Sequence, residues 1–110
     1  MPRQSNSTSL FGRRLREARL RIGIAQDKLG VLIGMDESCS SARISRYETG
    51  IHEPPIATVE KLAIALNVPM PYFFCDDDQL AELLVHYTDL SNTQKNQLLE
   101  YLEILVNKAK

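Results

Sequence analysis

The stretch Ser40-Ser41-Ala42-Arg43-Ile44-Ser45-Arg46-Tyr47-Glu48-Thr49-Gly50 reads as a short amphipathic helix, capped by Ser40 and stopped by Gly50. Ile44 and Tyr47 fall on one side of it; Ser41, Ala42, Arg43, Ser45 and Arg46 fall on the other. A small, polar face lets a helix backbone come close to a DNA major groove, and an arginine there can donate two hydrogen bonds to one guanine. Ordinary solvated helices share such faces. The flanking sequence has to decide between the two readings.

Upstream, Phe11, Leu15, Ala18 and Ile22 recur at helical spacing, which predicts a first helix over Ser9 to Arg21 with Ser9 as cap and Gly23 as stop. A second helix is expected over Gln26 to Ile33, and Gly34 to Cys39 as a connector. Downstream, Ile51 to Pro55 must be a loop, because paired prolines remove backbone donors and bias the preceding residue away from helix. Thr58 to Leu66 is a fourth helix with Val59, Leu62, Ala63 and Leu66 inward, ended by Asn67-Val68-Pro69. Pro71 to Phe74 forms one aromatic turn. Asp76, Asp77 and Asp78 precede a helix over Gln79 to Tyr87, and Ser91 with Gln94 makes a capping box that opens a last helix to Asn107. The pattern contains no strand and no repeat; the class is all-α.

A chain of 110 residues, 44% of them hydrophobic, supports one compact domain with a short appendage. No apolar run approaches the roughly 20 residues that span a bilayer, and the polar start reads as a flexible arm over residues 1–8 rather than a signal segment. Cys39 and Cys75 are lone thiols, so a disulfide framework is not expected and the cytoplasm is the default compartment. Together with His52 and His86 they lack zinc-site spacing, and the three aspartates cap a helix rather than form a cation loop. No phosphate loop or nucleophile elbow occurs, so neither an enzyme, a metal nor a cofactor is expected. The formal charge is −1 but segregated: up to Arg46 nine basic residues face four acidic ones, net +5, and the remainder carries −6. A polyanion responds to the local field, so DNA remains an admissible partner.

Residues Leu10 to Phe74 resemble the Cro/C1-type (XRE, phage-repressor-like) helix-turn-helix family. The resemblance is carried by Phe11-Gly12-Arg13-Arg14-Leu15-Arg16-Glu17-Ala18-Arg19, Gly23-Ile24-Ala25-Gln26-Asp27-Lys28-Leu29-Gly30, Ile44 to Gly50, Pro54 and Leu62 to Val68. It implies a five-helix repressor-like domain over residues 9–75, followed by two C-terminal helices in residues 76–110. It also implies that helix three enters the major groove of double-stranded DNA, with Ser41, Ala42 and Arg46 reading bases beside Arg43 and Ser45. Gln26 is then a phosphate contact, and Arg19 and Glu48 form a buried ion pair. Three departures stand out. Ala25 replaces the usual polar cap; the turn is lengthened by Met35 to Ser38 if Cys39 takes the apolar turn position; and Ile51-His52-Glu53 lacks basic residues. Phosphate contacts are therefore also expected from Arg3, Arg13, Arg14 and Ser40.

In the tail, Leu80, Leu83, Leu84 and Tyr87 make one apolar stripe, and Leu98, Leu99, Leu102, Leu105 and Val106 a second. Two helices of this length have no core of their own, so these faces must cover something. The expected use is homodimerisation, because groove readers place two copies on paired half-sites. Packing on the chain's own first domain is the plainer alternative. The sequence thus points to a homodimeric transcriptional repressor on a palindromic operator. The alternatives are an antitoxin-like or controller protein with a protein partner at the tail, and an interaction module that does not bind DNA.

Overall fold

A computed structural model describes residues 9–109; the expected N-terminal arm, with Arg3, lies outside the described residues. Helix α1 spans Leu10–Ile22, α2 Gln26–Leu32, α3 Glu37–Thr49 and α4 Ile56–Leu66. A 3-10 turn, Met70–Phe74, leads to α5, Asp78–Thr88, and α6, Asn92–Ala109. The described residues contain no strand.

Each boundary has a local cause. The Ser9 hydroxyl accepts from the Gly12 amide at 2.9 Å and opens α1, which stops where Gly23 turns left-handed at φ 72°. Ala25 gives α2 no side-chain cap. Asn67 ends α4 in the left-handed region at φ 57°, a conformation asparagine tolerates better than most residues. The Asp77 carboxylate accepts from the amides of Gln79 and Leu80 to start α5. Ser91 and Gln94 exchange side-chain and backbone hydrogen bonds, at 3.1 and 2.9 Å, to start α6.

Leu15 and Ala18 of α1, Leu29 of α2, Ile44 and Tyr47 of α3, Val59, Leu62 and Leu66 of α4, and Phe73 of the 3-10 turn make one core. Burying each of the larger side chains stabilises the fold by about 1.5–3 kcal/mol. Two glycines let α3 sit deep among its neighbours. A Cβ on Gly12 would fall 2.2 Å from the Glu48 carbonyl oxygen, and one on Gly30 would fall 1.9 Å from the Ser40 hydroxyl.

Helix α3 departs from the expected start. It begins at Glu37, capped by the Asp36 carboxylate accepting from the Ser38 amide, one turn before Ser40. Of the residues expected to lengthen the turn, Glu37 and Ser38 are therefore helical, and the connector shrinks to Ile33–Asp36, which keeps Met35 and Asp36. Met35, not Cys39, is the turn residue that packs on the core, lying beside Gly30. Helix α4 also starts earlier than Thr58, at Ile56, directly after Pro55.

Arg14 was expected at DNA phosphate, and the structure corrects this. Its side chain is 3% exposed, with Nε donating to the Cys75 carbonyl at 2.9 Å, Nη1 to Glu17 at 3.0 Å and Nη2 to Asp78 at 2.9 Å. Three of the guanidinium's five donors are engaged, two of them tying α1 to the segment that opens α5, and its burial keeps the group from being presented to a phosphate. Arg13 is drawn the same way, to Asp78 at 3.2 Å and Glu17 at 3.5 Å.

Beyond this clamp the chain extends outward. Ala81 is buried against the body, and Asn67 donates to Asp89 at the end of α5. After that turn α5 and α6 diverge, meeting where Lys95 Nζ lies 4.7 Å from the centre of the Tyr87 ring. From Leu99 to Lys108 every α6 side chain is exposed. The Cα radius of gyration is 16.3 Å, against about 13 Å for a compact domain of ~100 residues. Helix α6 therefore does not cover its own domain, whereas the Ala81, Leu84 and Val85 side of α5 does. No described helix is long and apolar enough to cross a membrane.

The clamp makes stability acid-sensitive. Hydrogen bonds from Arg14 and then Arg13 hold the Asp78 carboxyl below the usual carboxylate range. A depressed folded pKa means the contribution is complete above the unfolded value, about pH 4, and is lost as pH falls through the folded value. Asp78→Asn is expected to lower the melting temperature at pH 7 and to narrow the gap from the parent protein as pH falls below about 4. Thermal unfolding followed by circular dichroism at several pH values checks this; parallel curves would contradict it.

Candidate nucleic-acid interface

Helix α3 is held on its inner side by one polar node. Arg19 of α1 donates through Nε to Glu48 Oε2 at 2.5 Å and through Nη2 to Oε1 at 3.1 Å. Its remaining nitrogen, Nη1, donates to the Ile24 carbonyl at 3.1 Å. Arg19 is 7% and Glu48 4% exposed, so both charges are out of water and each needs the other. Gln26, the first residue of α2, donates to Glu48 Oε1 at 3.1 Å. Its amide oxygen in turn accepts from the Ser41 hydroxyl at 3.4 Å. A single carboxylate thus joins α1, α2 and α3, and through Gln26 the node reaches the outer face.

Ser40 was expected as helix cap and phosphate contact; it is neither. It is fully buried, and its hydroxyl donates to the Asp27 carbonyl at 2.6 Å, fastening α3 to the first turn of α2. The early start of α3 rotates Ser40 into the interior of the helix, on the side of Ile44 and Tyr47.

The outer face carries Ser41, Ala42, Arg43 and Arg46, all exposed, with Ser45 half-buried between them. Among the described residues neither arginine takes part in a salt bridge, so both guanidinium groups are free for an outside acceptor. Arg43 and Arg46 share a shallow recess with His52 and Glu53 of the following loop. Small hydroxyls and a methyl flanked by two free arginines make a convex, donor-rich ridge, a shape and chemistry that fit base edges in a groove.

Sequence reasoning missed one residue of this ridge, Ser38, and the helix start beside it at Glu37. Ser38 is exposed one turn before Ala42 and on the same face, although its hydroxyl donates to Asp36. Asp36 and Glu37 place negative charge at the tip of α3, and the Ser38 hydroxyl and amide keep the Asp36 carboxyl ionised to below its usual range. The signal was present in the sequence, since an aspartate followed by a glutamate is a helix start as good as Ser40.

Residues 15–73 match the model of the HTH_3 helix-turn-helix family. Over 65 residues the chain is 32% identical to an uncharacterized HTH-type transcriptional regulator of Sinorhizobium medicae (strain WSM419), and equally to one of Rhizobium meliloti (strain 1021). That match covers 59% of this chain but 44% of each relative, so the chain corresponds to less than half of their length. The crystal structure of the transcriptional regulator BswR is similar over more of the molecule. Its TM-score is 0.84 at 42% identity, with 90% of this chain and 98% of that chain covered.

Glu48→Ala would leave Arg19 buried without a partner, and is expected to destabilise the protein by about 3–5 kcal/mol. Replacing both residues together, Arg19→Met with Glu48→Leu, is expected to recover much of that loss. Urea unfolding of the parent protein and the two variants measures both effects, and an unchanged midpoint for Glu48→Ala would contradict the burial of the pair.

Proposed function

The chain belongs to the Cro/C1-type (XRE) helix-turn-helix family of DNA-binding transcriptional regulators, and we propose that it acts in the cytoplasm as a homodimeric repressor on a palindromic operator. Helix α3 lies in the major groove, where Arg46, Ser41 and Ala42 read bases with Arg43 and Ser45 beside them. Gln26, held between Glu48 and Ser41, places α2 against a phosphate. Repression follows from occupancy: two copies seated in successive turns of one groove exclude other proteins from that stretch.

The observation that carries the dimer is the exposed α6. Leu99, Leu102, Leu105 and Val106 are each about half exposed or close to it, and Leu98 is half-buried. Contiguous apolar surface of this kind is uncommon on soluble monomers. A second copy covering it through Leu98, Leu99, Leu102, Leu105 and Val106 sets two α3 helices on one DNA face. The same surface would suit a different protein, as in the antitoxin-like reading; the self-association measurement below separates the two.

Selection of bound fragments from genomic DNA identifies the operator. On it, Arg46→Ala is expected to cost about 1–3 kcal/mol of specific binding and to relax one base position in each half-site, with non-specific binding little changed. Equal losses on operator and random DNA would make Arg46 a phosphate contact. Leu102→Asp is expected to give a folded monomer in sedimentation that binds the full operator much more weakly. An intact protein that sediments as a monomer with and without DNA would contradict the homodimer. Transcription from the selected promoter in vitro should fall on adding the protein; a rise would contradict repression.

A further inference from the structure

The α6 seam leaves apolar surface on both α5 and α6 uncovered. Between Leu98 and Val106 seven of nine α6 residues are apolar, and only Glu100 and Glu103 are not. At about 100° per residue, these seven span an arc of roughly 220°, twice the ~100° stripe that packing on one neighbour requires. The seam through Leu98, Leu99, Leu102, Leu105 and Val106 accounts for one half. Tyr101 and Ile104, 57% and 52% exposed, lie on the other half. A helix apolar over so wide an arc belongs between two neighbours.

Helix α5 has the matching deficit. Its Ala81, Leu84 and Val85 side packs on the core, while Leu80, Leu83 and Tyr87 form a separate stripe that is 47%, 53% and 38% exposed. The chain's own α6 does not cover this stripe, because the two helices diverge. The two uncovered faces have the same spacing. Leu80, Leu83 and Tyr87 recur at i, i+3 and i+7, and so do Tyr101, Ile104 and Lys108. Laid antiparallel, Tyr87 meets Tyr101, Leu83 meets Ile104, and the aliphatic stem of Lys108 covers Leu80. That register also brings the Lys108 ammonium to the acidic start of α5, beside Asp76 and Asp77, and opposes the two helix dipoles.

We infer that α6 of each copy packs antiparallel on α5 of the other, through Tyr101, Ile104 and Lys108 against Leu80, Leu83 and Tyr87. This interlock rests on the homodimer proposed above and goes beyond it. Two copies then satisfy every exposed apolar face of the tail, with four helices in one bundle. The functional consequence lies in α5. The Arg14–Asp78 clamp and Ala81 join it rigidly to the DNA-binding body. Gripping the partner's α5 therefore fixes the orientation of the partner's reading helix, and with it the half-site spacing the dimer accepts.

Site-directed cross-linking tests the register. Two chains are prepared in a Cys39→Ala, Cys75→Ala background, one with Leu83→Cys and the other with Ile104→Cys. Oxidation of their mixture is expected to give a disulfide-linked dimer at least tenfold more abundant than from either chain alone. As a second reading, Leu83→Asp, at an exposed position, is expected to weaken dimerisation at least tenfold in sedimentation with helix content unchanged. A parent protein that sediments as a dimer while the mixture yields no cross-link overturns the interlock and leaves the α6 seam standing. A parent that sediments as a monomer overturns both. A chain carrying Leu83→Cys and Ile104→Cys together that closes into a monomeric ring overturns the interlock, because α6 would then cover its own α5.

Discussion

The Glu48 carboxylate is the constraint on which the reading surface depends. It receives two hydrogen bonds from Arg19 and one from Gln26, and so ties three helices to one point beneath the outer face of α3. A buried ion pair adds little net stability over an apolar equivalent, because desolvation offsets much of the attraction. What it adds is direction. Apolar contacts of Ile44 and Tyr47 tolerate a rotated or shifted α3, whereas a bidentate arginine–carboxylate pair does not. The exposed edge of the same network is Gln26 bonded to Ser41, so the outer face of α3 inherits its geometry from the buried pair. Gly12 and Gly30 make the approach possible, since a side chain at either position would collide with α3.

Much of this arrangement was legible in the residues, and its limits have physical causes. The apolar periodicity of α1 and α4 and the stops at Gly23 and Gly50 are local signals, and the helices follow them. The start of α3 was ambiguous because Asp36 and Ser40 are both good caps one turn apart. The choice between them depends on whether Met35 or Cys39 reaches the core, a tertiary fact. Choosing Ser40 then misplaced it at a phosphate, whereas it lies inside against Asp27. Arg14 failed for a similar reason. A basic residue on a helix that approaches DNA invites the phosphate reading, and nothing local shows that the Cys75 carbonyl and Asp78, more than sixty residues away in the chain, take its donors. The positive charge of the first half of the chain is thus partly spent on structure.

Binding on this surface is accordingly expected to lean less on phosphate neutralisation from α1 than the count of arginines suggests. Arg43 and Arg46 remain free on the ridge, but Asp36 and Glu37 sit at its leading end. An acidic tip disfavours non-specific contact with phosphates and can accept from cytosine or adenine amino groups, which shifts the balance from general affinity toward sequence discrimination. The exposed tail complements this. A reader with modest affinity per copy gains most from being joined to a second, because the second half-site is then engaged at high effective concentration.

A hydroxyl-radical footprint on the selected operator, at a protein concentration that just saturates it, reports directly on whether a dimer sets two α3 helices on one DNA face. Two symmetric protected segments are predicted, their centres about 34–36 Å or a whole number of helical turns apart, appearing together as protein is added. A single protected segment, or two that fill independently, would contradict a dimeric reader.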